Sequence, residues 1–122
     1  EYAHSLSLGG DVLLWAVFSK RGDISPINPV FLGSDALVER GKRSEDIGKE
    51  AAEALAKEMD SGAAVDHYLA DQLIPFMGLL PGSAIRAGSI SNHTKTNFYV
   101  VEQFLPAVRF RMTDGLICLE KA

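Results

Sequence analysis

The spacing of apolar positions changes several times along the chain, and each spacing predicts an element. "VLLWAVF", residues 12 to 18, is a continuous run of apolar, β-favouring residues behind the turn-like "GGD" and predicts a buried strand. Residues 19 to 34 hold Gly22, Pro26, Pro29 and Gly33, which predict a connecting loop with a short extended piece near Val30 to Leu32. Ile47, Ala51, Leu55 and Met59 then recur at helical spacing. Ser44 stands where an N-cap belongs, Glu45 and Asp46 occupy the first turn where the helix dipole favours negative charge, and Gly62 supplies the stop.

In the second half, Val65, Leu69, Leu73, Phe76 and Leu80 form one apolar stripe through "VDHYLADQLIPFMGLLPG", which predicts a helix. Pro75 lies inside that pattern and cannot donate to the carbonyl of Asp71, so the helix should loosen there. "SAIRAGSI" reads as a short strand, and "TNFYVVEQFL" as a helix with Phe98, Val101 and Leu105 inward, ended by Pro106. Val108, Phe110 and Met112 alternate with Arg109 and Arg111 before Asp114-Gly115, and "LICLE" follows, so a hairpin closes the chain. The predicted fold class is α+β, and the break at Ser61-Gly62 divides it into residues 1–60 and 61–122.

Composition narrows what these elements can do. The 122 residues, 47% of them hydrophobic, suffice for one modest domain with a real core. A formal charge of -4 lacks the basic footprint of a general nucleic-acid binder, so any phosphate contact has to be local. Cys118 is the single cysteine and has no intramolecular disulfide partner, which points to a reducing, cytoplasmic setting, or the nucleoplasm in a eukaryote. The longest apolar run falls far short of the roughly 20 residues of a membrane helix, and no charged-then-apolar leader opens the sequence. A start at Glu1 fits a fragment or a processed chain equally well.

Most catalytic signatures are absent: no HExxH, CxxC, GxSxG or GxGxxG occurs. "GSDALVERGKR" is no phosphate loop, because its glycines are too far apart and Arg43 stands where a magnesium-binding hydroxyl belongs. Arg40, Lys42 and Arg43 read as a solvated loop beside an acidic helix. Two places carry more. At about 100° per residue, Tyr68, Asp71, Gln72 and Pro75 share a face, where a ring, a carboxylate and an amide could meet a base and the polar edges of a nucleotide. An amphipathic helix with a half-buried tyrosine would look the same. His93 stands in "SISNHTKTN", just ahead of a predicted helix N-terminus, where a neutral imidazole can act as a nucleophile and backbone N–H groups favour phosphate.

Three segments in order, "ERGKRSEDIGKEAA", "AAVDHYLADQLIPFM" and "SNHTKTNFYVVEQFLP", closely resemble the carboxy-terminal part of RNA 3'-terminal phosphate cyclases. The resemblance covers most of residues 33 to 106 and rests above all on "HYLADQL" and "HTKTN". It implies that residues 1–60 end an inserted, thioredoxin-like small domain and that residues 61–122 form the last repeat of the catalytic domain, two helices on a β-sheet. It also implies ATP-dependent conversion of RNA 3'-phosphate ends to 2',3'-cyclic phosphodiesters through a covalent histidine-AMP intermediate. The histidine of the family's H-x-x-T-N motif falls on His93, and the nucleotide contacts fall on Tyr68, Asp71 and Gln72.

The cofactors so implied are ATP and a divalent cation, Mg or Mn, whose ligands stay unassigned. The implied partners are an RNA with a 3'-phosphate end and the remaining amino-terminal part of the same protein, without which the isolated chain is expected to be inactive. A non-catalytic cyclase-like relative that binds RNA in ribosome assembly is the alternative. It would share the fold and lack the nucleophilic histidine, so His93 counts against it.

Overall fold

A computed structural model describes residues 9–27 and 29–122. Two strands, β1 (Asp11–Phe18) and β2 (Val30–Leu37), precede helix α1 (Ser44–Asp60) and helix α2 (His67–Gly78). Strand β3 (Ala84–Arg86), helix α3 (Asn92–Phe104) and strands β4 (Val108–Thr113) and β5 (Leu116–Lys121) complete the chain, which is α+β. β1 and β2 form an antiparallel pair, and the second sheet has the order β3-β5-β4. Val65 stitches the two together, bridging Phe31 on one side and Ala87 on the other.

β2 is longer than the sequence suggests. Gly33, Ser34 and Asp35 look like turn residues, yet they face Trp15, Leu14 and Leu13 across the pair. Cross-strand partners decide here over local preference: Ser34 is buried and donates to the Ala51 carbonyl of α1 at 2.7 Å. β1 is buried on one face only. Val12 and Leu14 pack with Ala36, Ile47 and Ala51, while Trp15 on the other face is 67% exposed, with Leu13 and Val17 beside it.

The closing hairpin forms as its alternation predicts. Thr113 pairs with Leu116, and Asp114 and Gly115 between them have φ of 47° and 76°, the two left-handed residues a tight two-residue hairpin turn demands. α3 docks on this sheet through Phe98, whose ring stacks on Phe110 with centroids 4.6 Å apart. The main core gathers Ala70, Ile74 and Met77 from α2 with Ala87 and Ile117. No helix among the described residues is long and apolar enough to cross a membrane.

Three expectations about helix faces and ends need correction. α1 is capped at Arg43, without a side-chain bond, and Ser44 is already inside the helix. In its last turn Met59 is exposed and Glu58 is buried. On α2 the buried face is Ala70, Ile74, Met77 and Gly78, while Leu69 and Phe76, and Leu80 just past its end, all expected inward, are exposed. Close approach of α3 selects the small residues: a Cβ on Gly78 would lie 2.6 Å from Val101 Cγ1.

Candidate active site

Two neighbouring helix N-termini organise the polar residues. At α2, the Asp66 carboxylate accepts from Leu69 N at 2.8 Å as an N-cap and from Gly33 N at 2.8 Å, so one side chain starts the helix and holds it to β2. At α3, Ser91 is the N-cap, accepting from Thr94 N at 3.0 Å. The helix therefore begins at Asn92, four residues before the predicted start at Thr96. Asn, His, Thr and Lys in sequence resemble a loop until Ser91 is recognised as the cap.

His93 thus sits inside the first turn of α3 rather than ahead of it. Its side chain is exposed and makes no hydrogen bond to any described residue. Asn92 and His93 open the helix, so their backbone N–H groups have no partner within it, and Lys95 in the same turn is exposed.

The turn that carries His93 is fastened to α2 by one residue. Ser91 Oγ donates to the two carboxylate oxygens of Asp71 at 2.8 and 2.9 Å, and the buried hydroxyl of Thr94 donates to the same carboxylate. Asp71 holds α3 through its main chain as well. Pro75 lacks the N–H that would normally reach the Asp71 carbonyl, and the side-chain amide of Asn97 donates to that carbonyl at 2.9 Å instead. The carbonyl freed by the proline is the docking point of the next helix, and α2 continues through Pro75 to Gly78. In "HTKTN", the final asparagine docks α3 on α2, while Thr96 bonds to the Asn92 carbonyl within its own helix.

Tyr68 and Gln72 lie together in an open cleft of about 320 Å³ with Asp11, Leu13, Gly33, Ser34 and Asp35. The Tyr68 hydroxyl donates to Asp35 Oδ1, and that bond is the main reason the phenol pKa is pushed up to about 12, with burial and nearby carboxylates adding to it. Of the four residues singled out in the sequence, two therefore share the cleft, Asp71 is bound to the turn of His93, and His93 is not part of the cleft wall.

Asp35, Asp66, Ser91, Thr94 and Asn97 were not picked out from the sequence. Pro75 was the available signal for Asn97, since it marked a carbonyl in need of a donor. Among the described residues no group of three or more His, Cys, Asp or Glu side chains could hold a metal ion.

Comparison with known proteins places these residues in a family context. Residues 6–112 match the family model described as RNA 3'-terminal phosphate cyclase. The RNA 3'-terminal phosphate cyclase of Thermococcus onnurineus is 42% identical over 105 residues, covering 86% of this chain and 28% of that protein. The protein of the same name from Pyrobaculum neutrophilum is 41% identical over 108 residues, 88% of this chain and 28% of its own length. The one from Pyrococcus furiosus is 38% identical over 116 residues, 95% of this chain and 31% of its own. The chain thus spans less than a third of the length of these relatives.

Proposed function

The chain belongs to the RNA 3'-terminal phosphate cyclase family, and on that premise we propose that it supplies the nucleophile and part of the nucleotide site for ATP-dependent cyclisation of RNA 3'-phosphate ends. The observation that carries the proposal is His93, an exposed imidazole that bonds to no described residue, on a helix turn fastened to Asp71. A nucleophile has to be accessible at its reacting atom and held in position, and His93 has both properties.

In the proposed sequence an imidazole nitrogen of His93 attacks the α-phosphorus of ATP. A P–N bond forms, the bond to pyrophosphate breaks, and the imidazole releases its proton. An oxygen of the RNA 3'-phosphate then attacks the same phosphorus, the P–N bond breaks as the imidazole takes a proton back, and AMP moves to the RNA end as a mixed anhydride. The vicinal 2'-hydroxyl attacks the 3'-phosphorus, loses its proton and expels AMP, leaving the 2',3'-cyclic phosphodiester. Imidazole suits this route because it is both a competent nucleophile and a good leaving group when bonded to phosphorus. The free N–H groups of the first α3 turn, with Lys95 nearby, favour the negative charge that gathers on the transferring phosphoryl group.

Tyr68, Asp71 and Gln72 are assigned to the nucleotide. Tyr68 offers a half-exposed ring for the base and Gln72 an amide for its edge, both in the cleft. Asp71, already accepting from Ser91 and Thr94, links this helix to the nucleophile and brings its remaining acceptor capacity to the nucleotide. The remaining ATP and RNA contacts, and the ligands of any divalent cation, are assigned to the rest of a family-length protein. Residues 1–60 are assigned to the end of an inserted small domain and residues 61–122 to the last repeat of the catalytic domain.

The test is conversion of an RNA oligonucleotide ending in a 3'-phosphate by the product of the full reading frame. ATP-dependent appearance of a phosphatase-resistant cyclic end, lost in His93→Asn, is the expected result. RNA binding without ATP-dependent conversion would overturn it and favour a non-catalytic, ribosome-assembly type of relative.

A further inference from the structure

The last turn of α1 buries a carboxylate that the proposed reaction does not use. Glu58 is 7% exposed on a charged helix whose other acids face solvent. Its Oε1 accepts from His67 Nδ1 at 2.7 Å, with Ser89 Oγ at 3.5 Å. A carboxylate oxygen can only accept here, so Nδ1 is the protonated nitrogen that faces it. Among the described residues Oε2 is buried without a partner, and it would lie 2.5 Å from a Cβ on Gly88. A half-satisfied buried carboxylate is costly to keep, and its one firm bond goes to His67.

His67 connects this bond to the nucleotide cleft. Its ring lies against the ring of Tyr68, with centroids 3.9 Å apart and planes tilted by 37°. Tyr68 is therefore held twice, at its hydroxyl by Asp35 of β2 and on one ring face by His67. Glu58 in turn fixes the His67 ring, so both restraints originate in the elements ahead of Ser61. With one face of Tyr68 taken by His67, a base has only the opposite face on which to stack.

We propose that His67, oriented by Glu58, is a positioning residue that sets the attitude of the Tyr68 ring for the adenine base. The inference rests on Tyr68 being the nucleotide platform. It gives His67 no chemical step and no contact with ATP, so its effect must pass entirely through Tyr68.

The experiment measures adenylylation of the product of the full reading frame with ATP labelled at the α-phosphate, recording the half-saturating ATP concentration and the rate at saturation separately. His67→Asn keeps an N–H donor for Glu58 and removes the ring, so the buried carboxylate is not stranded and the fold, followed by its thermal midpoint, is preserved. It should raise the half-saturating concentration by roughly fivefold, the scale of a lost aromatic contact, with the saturating rate unchanged. Glu58→Gln should behave like the unaltered protein, because its amide oxygen still accepts from Nδ1. Glu58→Met should behave like His67→Asn.

The double variant Tyr68→Ala/His67→Asn should match Tyr68→Ala alone, since His67 has nothing left to position. If Tyr68→Ala weakens ATP binding while His67→Asn does not, or if the two losses add, the positioning role is overturned and the platform stands. If Tyr68→Ala itself leaves ATP binding unchanged, the platform assignment fails and the inference with it.

Discussion

Two histidines stand in the first turns of two neighbouring helices, and their surroundings could hardly differ more. His67 of α2 is bonded through Nδ1 to a buried glutamate and lies against a tyrosine ring. His93 of α3 is exposed and bonded to nothing described, although the turn beneath it is tied to α2 by Ser91 and Thr94. A side chain with both its nitrogen and its ring engaged is suited to hold a neighbour. A free side chain on a fastened backbone is suited to react. Residue type alone does not separate the two, and the fastening does.

The largest effect that follows from this contrast is total. His93→Ala should remove all covalent labelling by ATP while leaving thermal stability within about 0.5 kcal/mol, as an exposed, unbonded side chain permits. Residual labelling, or a clear loss of stability, would break the distinction between a free and a structural histidine.

Next comes the fastening. Asp71→Ala strands the hydroxyls of Ser91 and the fully buried Thr94, which should cost about 1–3 kcal/mol in denaturant unfolding and slow labelling further than the lost stability explains. Asn97→Ala leaves the Asp71 carbonyl without a donor, and Pro75→Ala restores an N–H able to reach it. Pro75→Ala should accordingly recover about 1 kcal/mol more in the Asn97→Ala background than in the unaltered protein. An additive pair would show that the proline and the asparagine are unrelated.

Tyr68→Ala should weaken ATP binding by roughly 10- to 100-fold, the range of one lost base-stacking ring, as read by equilibrium titration. The smallest effect concerns Asp35. The folded pKa of Tyr68 is raised to about 12 chiefly by the bond to Asp35, so the stabilisation it brings is fully present below the ordinary tyrosine pKa near 10 and is lost as pH rises through the folded value. Asp35→Asn should return the titration of Tyr68 toward the ordinary value, seen as a difference in tyrosinate absorbance between variant and unaltered protein that opens only as pH rises toward about 10 and above.

Legibility in the sequence followed the range of the interactions. The hairpin of β4 and β5 could be read from Asp114-Gly115 and the alternation around it, because the turn and its partner strands are adjacent. The shared face of Tyr68 and Gln72 followed from helical spacing alone. The full length of β2 is hidden in the sequence because Ser34 satisfies its hydroxyl on α1, 17 residues away. The inward face of α2 is not marked by residue size, because close approach of α3 favours Ala70 and Gly78. Glu58 looks like any other acid on a charged helix, and nothing local marks it as buried. Its partners His67 and Ser89 lie 9 and 31 residues away. The carboxylate of Asp71 belongs to the same class, since its partners lie 20 and 23 residues on.

Mapping the adduct tests the central claim most directly. The product of the full reading frame is incubated with ATP labelled at the α-phosphate and digested, and the labelled peptide is sequenced by mass spectrometry. The label is expected on His93, in a bond that acid breaks and alkali spares, as a phosphoramidate behaves. Label on His67 or Lys95, or ATP-dependent cyclisation with His93 unlabelled throughout turnover, would contradict the assignment.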